Sequence, residues 1–379
     1  MPRVRIEDLT AKRQIALVTG GAGANFRLGS EAIDIAALHQ LDSVAQDFLT
    51  LAAAVFYADG EVPRGGDTRP GMGKGWHRNL RLHIPVRNLG LWQRTDVTET
   101  LSETVRFLTG DTMEFRFSLA TDPRAWPEVF EFDPQGATYE VEKVILFSGG
   151  LDSFAGALET LSSGPGKVLL VSHRSAQKVL HRQDALAEWL ARRFPGRVRH
   201  IKVAATRVGA ETHDTTQRSR SLLFAAIGHA VAANFGARQL CFFENGIVSH
   251  NLPISPQVVG TMATRTTHPQ SLVLLNRLLQ LISPGSTTIF NEYQWLTKTE
   301  VVQRIATYGG AEMIEAAVSC THVRDQTTLH THCGRCSQCL DRRFAILAAR
   351  LEAHDPVERY ATAMFTGPLA DDRARTLVV

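Results

Sequence analysis

Long apolar runs are missing from this chain. The richest, LTLAAAVFYA at 49–58, is followed at once by Asp59, and it falls well short of the roughly 20 residues a membrane-spanning helix needs. The opening MPRVRIEDLTAKRQ has no apolar core of the signal-peptide kind. A surplus of one charge sign is missing as well. Lys and Arg number 41 against 38 Asp and Glu, a formal +3, and no single-sign run marks an interaction tail. That balance neither implies nor excludes nucleic acid. No internal repeat and no low-complexity tract occurs. Together these absences lead us to expect a cytoplasmic globular protein with no membrane partner.

Cysteine is scarce, five residues in 379, yet four of the five crowd together. Cys320, Cys333, Cys336 and Cys339 supply four thiolates, the number a closed tetrahedral zinc site uses. In a reducing compartment such spacing reads as a metal site before it reads as disulfides. His322, His330 or His332 could replace Cys320, and an iron–sulfur cluster also takes four thiolates. With every position filled by protein, the metal's role is expected to be structural. Cys241 stands in an apolar strand and reads as core.

The length favours two domains. Residues 1–138 read as an α+β accessory domain, with a helix through 38–59, strands in RLHIPV, VRFLTG and MEFRFSLA, and a Pro-rich linker at DPRAWPEVFEFDPQGA. From 139 to 355 strands and helices alternate, the pattern of a parallel sheet covered by helices. VEKVILF, KVLLVSH, RVRHIKVA, RQLCFFENG and TTIFNEY are its expected strands. TKTEVVQRIATYGG opens with a capping box from Thr297 and Glu300. Residues 356–379 read as a tail.

The chemistry-bearing segment is VILFSGGLDSFAGAL at 144–158. Ser148, Gly149, Gly150, Leu151, Asp152 and Ser153 follow an apolar strand and open a helix. The glycines let backbone amides approach an anion, and the helix start offers free amides and a positive dipole end. Ser148 and Ser153 add hydroxyls. Asp152 beside phosphates implies either Mg²⁺ binding or a loop-orienting role. No Lys-Ser/Thr pair follows the glycines, which excludes a Walker A loop. Upstream, VTGGAGANF lacks the third glycine of a dinucleotide fingerprint, and we read it as a turn. Glu244 and Asn245 end a strand, where ligands of open α/β sheets gather. Beyond them Asn251, Arg265, Thr266, Thr267 and His268 could hydrogen-bond a planar heterocycle or a carboxylate. Arg174 and Lys178 could neutralise phosphate, and one of Arg342 and Arg343 could reach it.

SGGLDS resembles the signature of the PP-loop ATP pyrophosphatases. With SC(320)…CGRCSQCLDRRFAIL, it is similar to the 7-cyano-7-deazaguanine synthase (QueC) family over about residues 140–350. TKTEVV, through Lys298 and Glu300, matches that family's helix start. The resemblance implies a doubly wound parallel α/β sheet of the adenine nucleotide alpha hydrolase type with a C-terminal zinc knuckle at 320–339. It implies ATP, Mg²⁺ and Zn²⁺ as cofactors and an ATP-dependent C–N bond-forming ligase or synthase activity. The substrate would be a carboxylate, 7-carboxy-7-deazaguanine, activated with release of pyrophosphate. Ser148, Asp152 and Ser153 would be catalytic, and the rest of 148–153 with Ser172, His173 and Arg220 would hold ATP. Glu244, Asn245, Asn251, Arg265 and His268 would face the substrate. Ser172-His173-Arg174-Ser175 stands where the family has a YGQR-like motif, TTQRSRSLL keeps the arginine of its VPGRN-like segment as Arg220 but replaces the asparagine, and its YPDCR-like segment has no counterpart. The long N-terminal domain with ENG…NLP and ATRTTHP is similar to the QatC family, QueC-like members of the Qat anti-phage defence cassette. That implies a partner protein of the cassette, and an acceptor amine that is either ammonia or a protein amino group. A PP-loop tRNA-modifying enzyme and a non-catalytic ATP-binding scaffold are the rival readings.

Overall fold

A computed structural model describes residues 3–21, 23–30, 32, 33, 36, 40–64, 76–120, 140–174, 177–209, 217–253, 265–322 and 326–362. The expected linker, the domain boundary at 138/139, Ser175, the side chain of Lys178 and the tail beyond 362 lie outside the described residues.

The chain is mixed α/β with parallel strands. In chain order the strands are β1 (Arg3–Asp8), β2 (Arg13–Val18), β3 (Phe26–Leu28), β4 (Asn79–Val86) and β5 (Thr112–Leu119). They continue with β6 (Lys143–Leu146), β7 (Val168–Arg174), β8 (Val198–Arg207), β9 (Gln239–Phe242) and β10 (Thr288–Asn291). One sheet has the order β2-β1-β4-β5, the other β10-β9-β6-β7-β8-β3. In the second, the chain runs outward from β6 through β7 to β8, and β9 then takes the opposite flank. The order therefore reverses beside β6. Helices Leu151–Ser163 and Gln177–Arg193 make the two crossovers from β6 to β8, the connection that parallel neighbours require.

The chain forms two compact units, each built from three stretches. Unit 1 takes Met1–Val144, Ile201–Leu240 and Thr264–Phe290; unit 2 takes Ile145–His200, Cys241–Ala263 and Asn291–Val379. In unit 1, β4 alternates strictly, burying Leu80, Leu82, Ile84 and Val86, the period-2 pattern of a half-covered sheet. It pairs antiparallel with β1 and parallel with β5. VRFLTG is not a strand. It closes the helix Thr95–Thr109, which ends on Gly110 at φ 78°. Val97, Leu101, Val105 and Leu108 are buried along that helix, and this 3.6-residue spacing outweighs the β-branched composition of its last turn. The first long helix runs Ser43–Glu61 rather than from Leu38, because Asp42 caps it by accepting from the Ala45 amide at 2.8 Å. Within VTGGAGANF the Ala24 amide donates to the Gly21 carbonyl, and Asn25 accepts from the Val18 amide and donates to the Ala16 carbonyl.

In unit 2 the first five residues of β7 are all buried, as expected of a strand covered on both faces. The core joins Ile145, Leu151, Phe154, Leu158, Leu170, Leu186, Val301, Ile305 and Ile346. Gly156 sits so close to Phe243 that a Cβ there would lie 2.1 Å from the ring. Cys241 is buried in this core, as expected. Among the described residues no helix is long and apolar enough to cross a membrane.

Candidate functional site

The SGGLDS segment leaves β6 and enters the helix Leu151–Ser163. Its carbonyls are turned back into the protein. Gln183 Nε2 donates to the Ser148 carbonyl at 2.9 Å, the Val318 amide to that of Gly149 at 3.0 Å, and the Phe154 amide to that of Gly150 at 3.1 Å. Gly149 adopts φ +79°, and a Cβ there would lie 2.7 Å from Gln183 Cγ. Ser148 Oγ lies 3.2 Å from Ser153 Oγ and accepts from the Gly150 amide at 3.3 Å. No side chain caps this helix. Its first-turn amides have no intrahelical acceptor, so the loop presents donors outward at the positive end of a helix dipole. Such an arrangement binds anions.

Asp152 is buried and both its carboxylate oxygens are engaged. Lys298 Nζ donates to Oδ1 at 2.7 Å, while the Asn245 amide and Nδ2 donate to Oδ2 at 3.2 and 2.9 Å. Asp152 therefore orients the loop. Lys298 begins the helix Lys298–Thr307, whose Thr297/Glu300 capping box is present as expected. Asn245 is fully buried and also accepts from the Val248 amide at 3.3 Å. Asn291 braces the end of β9: its Oδ1 accepts from the Glu244 amide, and its Nδ2 donates to the Glu244 carbonyl and to Ser249 Oγ. Asp341, half-buried, faces the same charges. Burial pushes its carboxyl up, Lys298 pulls it down and Asp152 pushes it up again. Its Oδ2 has no hydrogen-bond partner.

Ser148, Asp152, Ser153 and Asn245 are thus gathered in unit 2. Other expected residues do different work. Ser172 is fully buried, donating to the Phe147 carbonyl at 2.6 Å with His200 Nε2 at 2.8 Å. His173 is half-buried at the end of β7, and Arg174 is paired with Asp184. Arg220, in unit 1, is exposed over the ring of Phe224. Asn251, in unit 2, has a left-handed backbone at φ 52°. Arg265 and His268 belong to unit 1, where both lie against Phe107; Arg265 donates to its carbonyl, and His268 caps the helix Pro269–Ile282. Neither Arg342 nor Arg343 is free to hold phosphate. Arg342 is fully buried, donating to Asp355 and to the Ala317 and Ile314 carbonyls, each at 2.8 Å, and Arg343 pairs with Asp355 at 3.0 Å.

The four cysteines of unit 2 converge. Their sulfurs all lie within 4.8 Å of one another, with Cys333 and Cys339 3.9 Å apart, and none forms a disulfide. Zn–S bonds of about 2.3 Å would place tetrahedral sulfurs about 3.8 Å apart, so the cluster is positioned to hold a metal ion. The Cys333 amide points at Cys320 Sγ and the Arg335 amide at Cys333 Sγ, the outer-shell contacts that steady thiolates. Hydrogen bonding within the cluster, Cys320 first, pushes the Cys333 thiol down from its ordinary value. Gly334 makes the turn at φ +72°, where a Cβ would lie 2.0 Å from the Thr362 carbonyl.

Gln183 and Asn291 carried no signal in the sequence, and Asp341 stands within CGRCSQCLDRRFAIL without a role assigned to it there. Each lies far along the chain from the loop it serves, and only folding assembles them. Set against known proteins, the chain matches no family model and no curated protein.

Proposed function

We propose that this chain is a QueC-like PP-loop ATP pyrophosphatase that adenylates a carboxylate and passes it to an amine. The observation that carries this is the 148–153 loop, with carbonyls tied inward by Gln183 and Val318 and an uncapped helix start facing out. The reversal of strand order beside β6 supports the same reading, because ligands of doubly wound sheets bind at that point. Loop amides with Ser148 and Ser153 hold the β and γ phosphates. A carboxylate oxygen attacks the α-phosphorus, the bond to the bridging oxygen breaks, and pyrophosphate leaves. The amine nitrogen then attacks the acyl carbon, AMP leaves, and the amine proton passes to solvent. Acceleration comes from positioning and fixed donors, so no covalent nucleophile is required.

Asp152 is committed to Lys298 and Asn245, and Asp341, with its free oxygen, is the residue that would hold Mg²⁺. The four thiolates would hold Zn²⁺ as a structural ion, knitting the segment from Cys320 to Cys339. The substrate is 7-carboxy-7-deazaguanine or a related carboxylate, and the setting is an anti-phage cassette in which the amine is ammonia or a partner protein's amino group. The test is product analysis with ATP, Mg²⁺ and a carboxylate panel. AMP and pyrophosphate should form in equal amounts and vanish in Gly149→Ala. Formation of ADP and phosphate, or an unaffected Gly149→Ala, would remove the proposal.

A further inference from the structure

Unit 1 contains a second concentration of buried charge, built from residues other than the 148–153 loop. Asp59 and Asp111 are fully buried, and every one of their oxygens is occupied. Arg64 and Arg78 both donate to Asp59 Oδ1, at 2.8 and 2.5 Å, and the Ser219 amide and hydroxyl donate to its Oδ2, both at 2.9 Å. Asp111 takes Arg64 and the Arg78 amide on Oδ1, and Arg64 and Arg78 again on Oδ2. Two guanidiniums balance two carboxylates.

Arg218 is a third guanidinium with no such match. It is only 4% exposed, and its Nε has no hydrogen-bond partner. It lies over the ring of Trp76 at 5.3 Å, with Arg64 over the same ring at 5.6 Å. The indole Nε1 of Trp76 is also buried without a partner, and so is the hydroxyl of Ser221, a residue 1% exposed. A buried cation without a counter-charge is costly, and native proteins seldom leave buried donors unmatched unless an ion or water completes them. Arg218 and Ser221 flank the start of the helix Arg220–Asn234, which has no side-chain cap, so the dipole there adds to the preference for an anion. Burial, with the Arg64 cation next, pushes the guanidinium of Arg218 down to about 10, which leaves it charged at neutral pH.

We propose that Arg218, Trp76 and Ser221 form a phosphate-binding site in unit 1, independent of ATP cleavage. A phosphate group suits it better than a carboxylate. Arg64, Arg78, Arg218 and Arg265 set against Asp59 and Asp111 leave an excess positive charge, and a guanidinium fork beside a helix start matches a tetrahedral oxyanion. The phosphate is either free or the end group of a nucleotide.

The test uses the full chain labelled with 5-fluorotryptophan, with the Trp76 resonance assigned from Trp76→Phe. Titration with inorganic phosphate at constant ionic strength should shift that resonance saturably, and sodium chloride should not. Arg218→Lys, which keeps the charge and loses the fork, should weaken the response by about tenfold, and Ser221→Ala should weaken it less. Tighter binding of AMP than of phosphate would identify a nucleotide as the source, and equal binding would identify free phosphate. An unmoved Trp76 resonance overturns the proposal, as does an equal response to chloride or an undiminished response in both variants.

Discussion

Replacing Lys298 by Met leaves the Asp152 carboxylate buried without its cation. The ion pair measures 2.7 Å, and its side chains are only 7% and 11% exposed, so solvent screens it little. Breaking such a pair from one side costs about 3–5 kcal/mol. Asp152 keeps two hydrogen bonds from Asn245, which places the expected loss at the low end, about 3 kcal/mol. Asp152 is the second residue of the helix Leu151–Ser163, so the opening free energy of that helix should fall by that amount. Hydrogen exchange read by mass spectrometry on peptides covering 151–163 would then quicken by about two orders of magnitude. Asp152→Asn removes the opposite partner and leaves Lys298 with the charge of the half-buried Asp341. The double variant should cost at least 1 kcal/mol less than the sum of the singles. Additive losses, or exchange unchanged in Lys298→Met, would refute the idea that this pair anchors the loop.

Burial pushes His229 down to about 4, and it sits against Phe48 and Thr287 in unit 1. Its neutral form is the one that folds, so the associated stability is complete above the ordinary value of 6.5 and is lost as pH falls towards 4, roughly 3 kcal/mol in all. Urea midpoints measured against pH should show this slope, and His229→Leu should flatten it. Gly334→Ala would force a Cβ into the Thr362 carbonyl, and metal content by mass spectrometry should drop below that of the parent. Cys339→Ser should lose the metal outright and make 320–362 sensitive to protease. Arg342→Met strips Asp355 of its fully buried partner and should lower thermal stability by about 3–5 kcal/mol.

Where the sequence was legible, a local pattern carried the signal. The strand–SGGLDS–helix order and the Thr297/Glu300 capping box depend on neighbours a few residues apart, the four cysteines fall within 20 residues, and each is found in the structure. The failures have physical causes too. VRFLTG is rich enough in β-formers to read as a strand, yet its burial follows the helix that begins at Thr95. Arg342 looked available to phosphate from its place after the knuckle, but burial turned it onto Asp355 and two carbonyls. Gln183 and Asn291 hold backbone groups from 35 and 47 residues away. Single polar residues at that separation leave no periodic trace.

Isotope exchange between pyrophosphate and ATP, measured for the intact chain across a panel of carboxylates headed by 7-carboxy-7-deazaguanine, tests the central claim most directly. Exchange that requires both Mg²⁺ and one carboxylate, and that disappears in Gly149→Ala, is the predicted result. ATP bound at the loop with no exchange for any carboxylate, or exchange untouched by Gly149→Ala, would contradict it.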